Sequence, residues 1–487
     1  MKLKVLALLL LMGNPAIGTF AQSQQLPDSA TRSEAKSTLK EKMSTGAAFG
    51  THFVKSHSSG VLLRPIGSLR DLVFLTTNAA TSLLRDLALG TILFPRLDES
   101  RLPLTASTQG MDLYQWELDL DAMTHTQRTR GSVDLLIDGE EFFDRLVEEI
   151  ADARESIRFR TYIFDNDDYA LQIADLLKQR AEEIPVDILV DGLGTLGGGL
   201  IASSSLPEDF VAPDSIESYL EQDSDVNLRM LPNTWFMGDH TKTYLFDNTV
   251  AFLGGMNIGR EYRYDWHDLM VELSGPVVDR LSYDDAKAAA QSRLGDLAFL
   301  KPIDRGNTRR GANNGAELRL LYTKPFNSQI YRAQLEAIRR SREYIYVQNA
   351  YLADDLVLYE LVKARQRGVD VRVIIPSRPD SGLMDRSNVL ATNILQRHGV
   401  RVFLYPGMTH VKAAIYDGWA CFGTANFDTL SFKVNKEVNI ATSDPHIVSE
   451  LRRRVFEVDF AISEEITHSQ PIYLADYVYE KIVDVLL

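Results

Sequence analysis

Two short patterns, far apart in the chain, carry the same residues in the same order. The first is His240, Lys242 and Asp247, followed by Gly254 and Asn257. The second is His410, Lys412 and Asp417, followed by Gly423 and Asn426. Both read HxKx4D and then GxxN, and an acid stands 11 residues beyond each Asn, namely Asp268 and Glu437. One such pattern would be a weak signal. Two, each with its GxxN and its spaced acid, constrain the chain to fold as a duplication.

The surrounding text repeats as well. Helical periodicity covers 141–153 and 170–183, and β-type runs cover 156–164 and 186–192. The same order returns as a helix at 328–341, a strand at 343–352, a helix at 356–368 and a strand at 369–377. Val186 and Val369 hold matching places 183 residues apart. This alternation predicts βαβ units in an α/β fold with a largely parallel sheet. The expected division is one α/β domain over 132–302, a Gly, Asn and Arg-rich linker over 303–317, and a second domain over 318–487.

The motif spacing has a physical reading. Residues 241–246 alternate as a strand, Asp247-Asn248-Thr249 is turn-like, and 250–255 is the returning strand. Side chains alternate with period two, so His240 and Lys242 share a face. The hairpin returns Asn257 to their side and leaves Asp247 at the far turn, and Asp268 opens the next strand at the histidine's end. The second copy repeats this with His410, Lys412, Asn426 and Glu437, and with Asp417 at the turn. Lysines and amides on one wall make a cradle for phosphoryl oxygens. A neutral imidazole can attack phosphorus, a protonated one can release a leaving oxygen, and a carboxylate on the other ring nitrogen fixes the tautomer. Two such histidines suit a two-step displacement through a phosphohistidine. The lysines supply the positive charge, so the pattern calls for no metal and no cofactor.

Charge narrows the substrate. With 52 Lys and Arg against 67 Asp and Glu, the formal charge is −15. Such a surface repels nucleic acid at long range, so no nucleic-acid partner is expected. The single cysteine, Cys421, excludes an internal disulfide framework and reads as a small buried hydrophobe. His52, His57, His125, His398, His446 and His468 show no metal-ligand spacing, and His267 stands beside Asp268. Gly192, Gly194 and Gly197 form a GxGxxG after a strand, but a poor helix start follows, so the segment reads as a loop rather than a nucleotide site.

The first 21 residues have two lysines, an apolar run from Val5 to Met12, a Gly-Asn-Pro break and a small-residue site at Ala21. That layout is a signal for export to the periplasm or beyond. The extension 22–131 is polar up to residue 60 and then carries an amphipathic stretch over 68–90, with Leu72, Leu75, Ala79, Leu83 and Leu87 on one stripe. Ser68 would cap its start and Gly90 its end. It reads as a helix packed on the main domain rather than lying on a bilayer, because its polar face is poor in Lys and Arg.

With its two HxKx4D and GxxN patterns, the chain resembles the phospholipase D superfamily, the HKD enzymes, and more narrowly the bacterial cardiolipin synthase branch. The stretches 161–167, 266–278 and 368–381 add to the likeness, which covers about 132–487. The resemblance implies two duplicated α/β domains, each a mixed and mostly parallel sheet flanked by helices, sharing one active site at their interface. It implies a phosphohistidine intermediate with His240 as nucleophile and His410 as acid and then base, and structural roles for Asp247 and Asp417. The paired N-terminal membrane helices of many such synthases are not evident. Gly254-Gly255 and Gly423-Thr424 stand where many members have Gly-Ser. Trp235, Phe236 and Met237 place apolar bulk just before His240, which favours a phospholipid substrate met at a membrane surface. An exported nuclease or other non-lipid phosphodiesterase is the alternative, and a non-catalytic lipid binder has no need of two histidines with orienting acids.

Overall fold

The computed structural model describes residues 57–97, 109–195, 203, 205–231, 234–235, 237–300, 315–380 and 382–472. The signal over 1–21, most of the polar stretch up to residue 60, nearly all of the 303–317 linker, Gly197 and Phe236 lie outside the described residues.

The expected alternation is present. In the first half, β1 (Thr129–Ile137), β2 (Ile157–Thr161), β3 (Val186–Asp191), β4 (Asn227–Leu231), β5 (Thr243–Phe246), β6 (Val250–Gly254) and β7 (Leu269–Ser274) are interleaved with helices over Asp138–Asp152 and Asp168–Ala181. The second half begins with β8 (Ala316–Lys324), β9 (Asn327–Ser328), β10 (Tyr344–Gln348), β11 (Asp370–Pro376) and β12 (Arg401–Tyr405). It continues with β13 (Ala413–Tyr416), β14 (Trp419–Gly423), β15 (Glu437–Thr442) and β16 (Glu464–Glu465). The described strands form one mixed sheet in the order β16-β12-β11-β10-β13-β14-β15-β8-β1-β7-β6-β5-β2-β3-β4, with β9 against β8. Each half is a reflected reading of the other, and they meet where β1 and β8 pair antiparallel, Thr129 opposite Leu318. The βαβ units form the parallel outer part of each half, β2-β3-β4 and β10-β11-β12. The motif hairpins and their neighbours, β5-β6-β7 and β13-β14-β15, fill the antiparallel inner part.

That order decides where the motifs go. β5 runs antiparallel to β2, with Thr243 opposite Arg160, so the residues just before β5 stand at the carboxyl end of β2. In open α/β sheets that end is where ligands are met. The apolar core continues between the halves, where Leu135, Leu253 and Val271 of the first pack in one cluster with Leu320, Ile415 and Ile440 of the second.

The turns show why each motif ends in Asp. Asp247 and Asp417 adopt left-handed backbone, φ 53° in both, which is costly for a side chain bearing a Cβ. Each carboxylate offsets this by accepting backbone N–H groups. Asp247 takes those of Arg154, Glu155 and Ser156. Asp417 takes those of Met111, Arg342, Glu343 and Tyr344 at 2.6–3.1 Å. Both acids therefore lie away from the histidines.

Two of the helices ahead of the sheet are tied to the body. Helix α1 (Pro65–Ala88) continues through a wide turn over Leu89–Leu93 and a tight one over Phe94–Arg96. Pro65, not Ser68, sits at its start, and Gly90 does not end it. It packs on the body, but through a mostly polar stripe: Ser68, Asp71 and Ser82 are buried beside Phe74, while Leu72 and Leu75 of the anticipated apolar stripe are half-buried and Leu83 and Leu87 are exposed. Helix α2 (Leu113–Thr124) belongs to the second half, with Trp116 edge-on to Trp419 and Glu117 and Asp121 holding the buried Arg319.

Asp417 is buried and leaves four donors stranded if removed, whereas Asp247 is partly exposed and holds three. Asp417→Ala is expected to destabilise the fold by about 2–4 kcal/mol and Asp247→Ala by clearly less. Urea unfolding midpoints check this, and equal shifts would contradict the ordering.

Candidate active site

The two motifs face each other across the junction of the halves, and each borrows backbone from the other. His240 N–H donates to Lys436 C=O, and Lys436 N–H donates to Gly238 C=O. In the mirrored place, His410 N–H donates to His267 C=O at 2.7 Å, and His267 N–H donates to Met408 C=O. Lys436 and His267 each directly precede one of the two spaced acids, so these bridges carry each acid to the opposite histidine. His240 Nδ1 lies 2.9 Å from Glu437 Oε1 and 3.1 Å from Oε2, and His410 Nδ1 lies 2.7 Å from Asp268 Oδ2. Sequence spacing had paired each histidine with the acid of its own copy; the structure exchanges the acids. The exchange puts His240, Lys242, Asp268, His410, Lys412 and Glu437 in one buried cluster.

Each lysine is fixed by its own histidine. Lys242 Nζ donates to His240 C=O at 2.9 Å, and Lys412 Nζ to His410 C=O at 2.7 Å. Burial removes water from both ammonium groups and lowers them, Lys242 to about 7 and Lys412 to about 8, against the pull of Glu437 and Asp268. Burial followed by the charges of Lys242 and Lys412 holds His240 well below its usual range. Burial also pushes Glu437 well above the usual carboxyl range. His410 is lowered by burial and then by Lys412, but Asp268 opposes this through its charge and hydrogen bond. The two imidazoles thus differ: His410 has the stronger local support for a proton.

The asparagines do not match each other. Asn257 Oδ1 accepts from Ile163 N–H, and its Nδ2 donates to Tyr262 Oη at 2.7 Å, so part of this amide is spent on the protein. Asn426 is buried, and its Oδ1 has no hydrogen-bond partner. The glycine departure has a cause in packing. A Cβ at Gly255 would stand 2.2 Å from Asp268 Oδ1. Its counterpart Thr424 instead donates its hydroxyl to Glu437 Oε2 at 2.5 Å. The hydroxyl absent from the first copy makes room for the acid that serves His410.

Sequence reasoning missed the aromatic walls. Tyr162 is edge-on to His240, with ring centroids 4.7 Å apart, and lies beneath Lys242 Nζ. Trp266 and Tyr262 flank His410. The only signal for Tyr162 and Trp266 was the likeness of 161–167 and 266–278 to the family, and Tyr262 lies outside both stretches. His267 does not line the cluster but braces it. Its Nδ1 is 2.6 Å from Asp138, its Nε2 is 2.8 Å from Asp459, and it stacks on Tyr405. Burial opposes its charge, but the bonds to Asp138 and Asp459 prevail and raise it to about 10, so it is an imidazolium at neutral pH. Lys436 plays the mirrored part against Asp239, which Arg160 also holds at 2.8 Å.

One group of oxygens among the described residues could hold a hard cation. Asp165, Asp167 and Glu261 are buried with carboxylate oxygens within 4.8 Å of one another. Burial and then repulsion from Asp167 push Asp165 up, and burial and then repulsion from Asp165 push Glu261 up, which favours a proton on this group when no cation is bound. In the second half the positions of Asp165 and Glu261 are taken by Ala353 and Leu430, while Asp167, the N-cap of its helix, is matched by the N-cap Asp354.

The comparisons with known proteins agree with this geometry. The family model described as "Cardiolipin synthase, PLD-like domain" matches residues 146–284 and 335–458, more than half of the chain. Cardiolipin synthase A of Pseudomonas fluorescens (strain SBW25) is 29% identical over 360 residues, 70% of this chain and 71% of that protein. Cardiolipin synthase A of Pseudomonas putida is 30% identical over 357 residues, 69% of this chain and 70% of that protein. The fold is shared with phosphatidylserine synthase from Haemophilus influenzae Rd KW20, at TM-score 0.60 and 11% identity over 77% of this chain and 100% of that one. A duplicated α/β frame, two exchanged histidine–carboxylate pairs and these matches together place the chain in the phospholipase D superfamily, in its cardiolipin synthase-like branch.

Proposed function

We propose that this protein is a phosphatidyl transferase of the cardiolipin synthase type, acting on phospholipid phosphodiesters at a membrane surface through a phosphohistidine. The observation that carries the chemistry is the exchange of carboxylates, which gathers both histidines and both lysines into one site. The likeness to cardiolipin synthases supplies the lipid class.

The steps follow from the two imidazoles. With Nδ1 turned to Glu437, His240 presents Nε2, and its lowered basicity keeps that lone pair free. Nε2 attacks phosphorus, the P–O bond to the leaving alcohol breaks, and His410 gives its proton to the departing oxygen. Positive charge now on the His240 ring is met by Glu437, and Lys242 and Lys412 balance the phosphoryl oxygens. His410, held by Asp268, then takes the proton of an incoming hydroxyl, whose oxygen attacks phosphorus and breaks the P–N bond. A glycerol-bearing lipid as acceptor yields cardiolipin, and water yields phosphatidic acid. Export to the periplasm or beyond, with a peripheral position at a membrane surface, belongs to the same proposal, and the export rests on the first 21 residues.

Incubation with phosphatidylglycerol vesicles and, separately, single-stranded DNA tests the class, with lipid products read by mass spectrometry. Cardiolipin or phosphatidic acid is expected; DNA cleavage without lipid turnover would overturn the reading. His240→Ala and His410→Ala should each lower turnover by about 10³-fold or more, because the pair acts as a unit. His410→Ala should still accumulate a phosphatidyl adduct on His240 from a donor with a good leaving group, visible in the intact mass.

The charged groups set a pH profile. His410 must carry a proton in the first step and sits below its usual 6.5, and the lysines must be charged but lose protons at about 7 and about 8. Groups that must be protonated and have lowered pKa values give activity on the acid side and lose it as pH rises. So kcat/KM should peak below neutrality and fall through pH 7 to 8; a rise over that interval would contradict the assignment. EDTA should leave turnover within about twofold, since the lysines supply the charge that a metal would. Strong inhibition would instead implicate the Asp165, Asp167 and Glu261 group.

A further inference from the structure

Helix α1 is built inside out. Phe74, against Phe326, is its one large apolar side chain that is buried; the other buried side chains are Ser68 at 2% exposure, Asp71 at 1% and Ser82, while Ile66 is 76% exposed, Leu69 63%, Val73 52%, Leu84 69% and Leu87 59%. Positions 66, 69, 73, 80, 84 and 87 recur at spacings of three, four and seven, so the outward side chains form one stripe along the helix. A helix serving only as cover for the core would turn this stripe inward. Scattered exposed leucines are ordinary, but a continuous exposed apolar stripe marks a contact surface.

The polar stripe is inward because it is used. Asp296 accepts from the N–H groups of Ile66 and Gly67, Trp235 Nε1 donates to Ser68 C=O at 2.8 Å, and Thr234 donates to Asp71. Arg85 reaches Tyr331 Oη and lies 3.6 Å from Asp354 in the second half. The helix is thus riveted to both halves. Its contacts include the segment that leads straight into His240 and the loop after β10, at the end of the sheet where the motifs lie.

The outward stripe asks nothing of water. No residue from Leu72 to Leu84 is charged. The hydroxyls of Thr76, Thr77, Thr81 and Thr91 donate to carbonyls three or four residues back in the helix. The patch continues on the neighbouring turn after Asp296, where Leu297, Phe299 and Leu300 are exposed. Among the described residues no helix is long and apolar enough to cross a membrane, so this surface would lie on a bilayer rather than span it.

We infer that the outward face of α1, with Leu297, Phe299 and Leu300, is the surface by which this protein seats itself in the outer layer of a phospholipid bilayer beside its active site. The identity of the occupant rests on the phospholipid reading above. A substrate with two acyl chains must bring its phosphodiester to the histidines while its chains stay in the bilayer, and this face adjoins the segment that leads into His240. The stripe is nearly uncharged and the whole protein is acidic, so seating depends on apolar insertion rather than on attraction to lipid phosphates.

The test uses the full chain and unilamellar vesicles of phosphatidylglycerol and phosphatidylethanolamine. Co-sedimentation should occur and persist at about 1 M salt, where surface charge is screened. The triple variant Leu69→Gln, Val73→Gln, Leu84→Gln alters only exposed helical positions and should partition at least about tenfold less. Independently of that variant's folding, Val73→Cys bearing a polarity-sensitive dye should shift to the blue when vesicles are added; Cys421 is buried and does not compete for label. Absence of wild-type sedimentation, equal partitioning of the triple variant, or an unmoved dye would each overturn the inference. So would a wild-type dimer that the variant dissolves without any vesicle binding, or shielding of the dye by residues 1–56 alone. Vesicle binding without lipid turnover would remove the transferase reading and keep the surface, whereas turnover of detergent-dispersed lipid without vesicle binding would do the reverse.

Discussion

Each motif histidine is held by a carboxylate from the other half, and this exchange is the constraint on which the site depends. It requires that Lys436 and His267, one residue before each acid, pair by backbone with the residues just before and at the opposite histidine. Neither half holds a complete site. The continuous sheet through β1 and β8 fixes the halves, and the apolar cluster behind it keeps them from sliding. The two charged braces, His267 between Asp138 and Asp459 and Lys436 on Asp239, then hold the bridges that carry the acids. A one-residue slip in either bridge would turn an acid away from its ring, because side-chain direction alternates along an extended segment.

Burial does the electrostatic tuning. Two ammonium groups, two imidazoles and the Glu437 carboxylate, enclosed together, all have cause to give up charge. The lysines fall toward neutrality and the histidines below it, which leaves His240 neutral and ready to attack. An arriving phosphodiester brings the negative charge that the enclosed ammonium groups lack, so the site is complementary to its reacting group rather than to itself.

Much of this was legible in the sequence, for reasons specific to particular residues. The hairpins were readable because Asp247-Asn248 and Asp417-Gly418 tolerate the left-handed turn and alternation fixes the faces on either side. The structural part of the motif acids followed from the same geometry. The exchange of Asp268 and Glu437 was not readable, because spacing within one copy says where an acid lies along the chain and nothing about which histidine it meets. The walls formed by Tyr162 and Trp266 were hidden for the same reason. Helix α1 was readable as a helix but not in its orientation. Periodicity marks an apolar stripe, and only the partners of the other stripe, Trp235, Asp296 and Asp354, decide that the polar one turns inward.

The duplication supplies symmetry, and small departures from it separate the roles. Glu437 with Thr424 faces His240, whereas Asp268 with Gly255 faces His410. The shorter acid sits where Cβ has been deleted and bonds its imidazole at 2.7 Å, which favours a proton there; the longer acid gives one oxygen to a threonine hydroxyl and stands 2.9 and 3.1 Å from its imidazole. The braces differ likewise, an imidazolium beside one pair and a lysine beside the other. Perfect repeats would give two equivalent histidines, and neither would be committed to attack or to proton transfer. A Gly, a Thr and one methylene of acid length are enough to make the halves unequal, and in the mechanism we propose that inequality, rather than the motif itself, favours His240 at phosphorus and His410 at the proton.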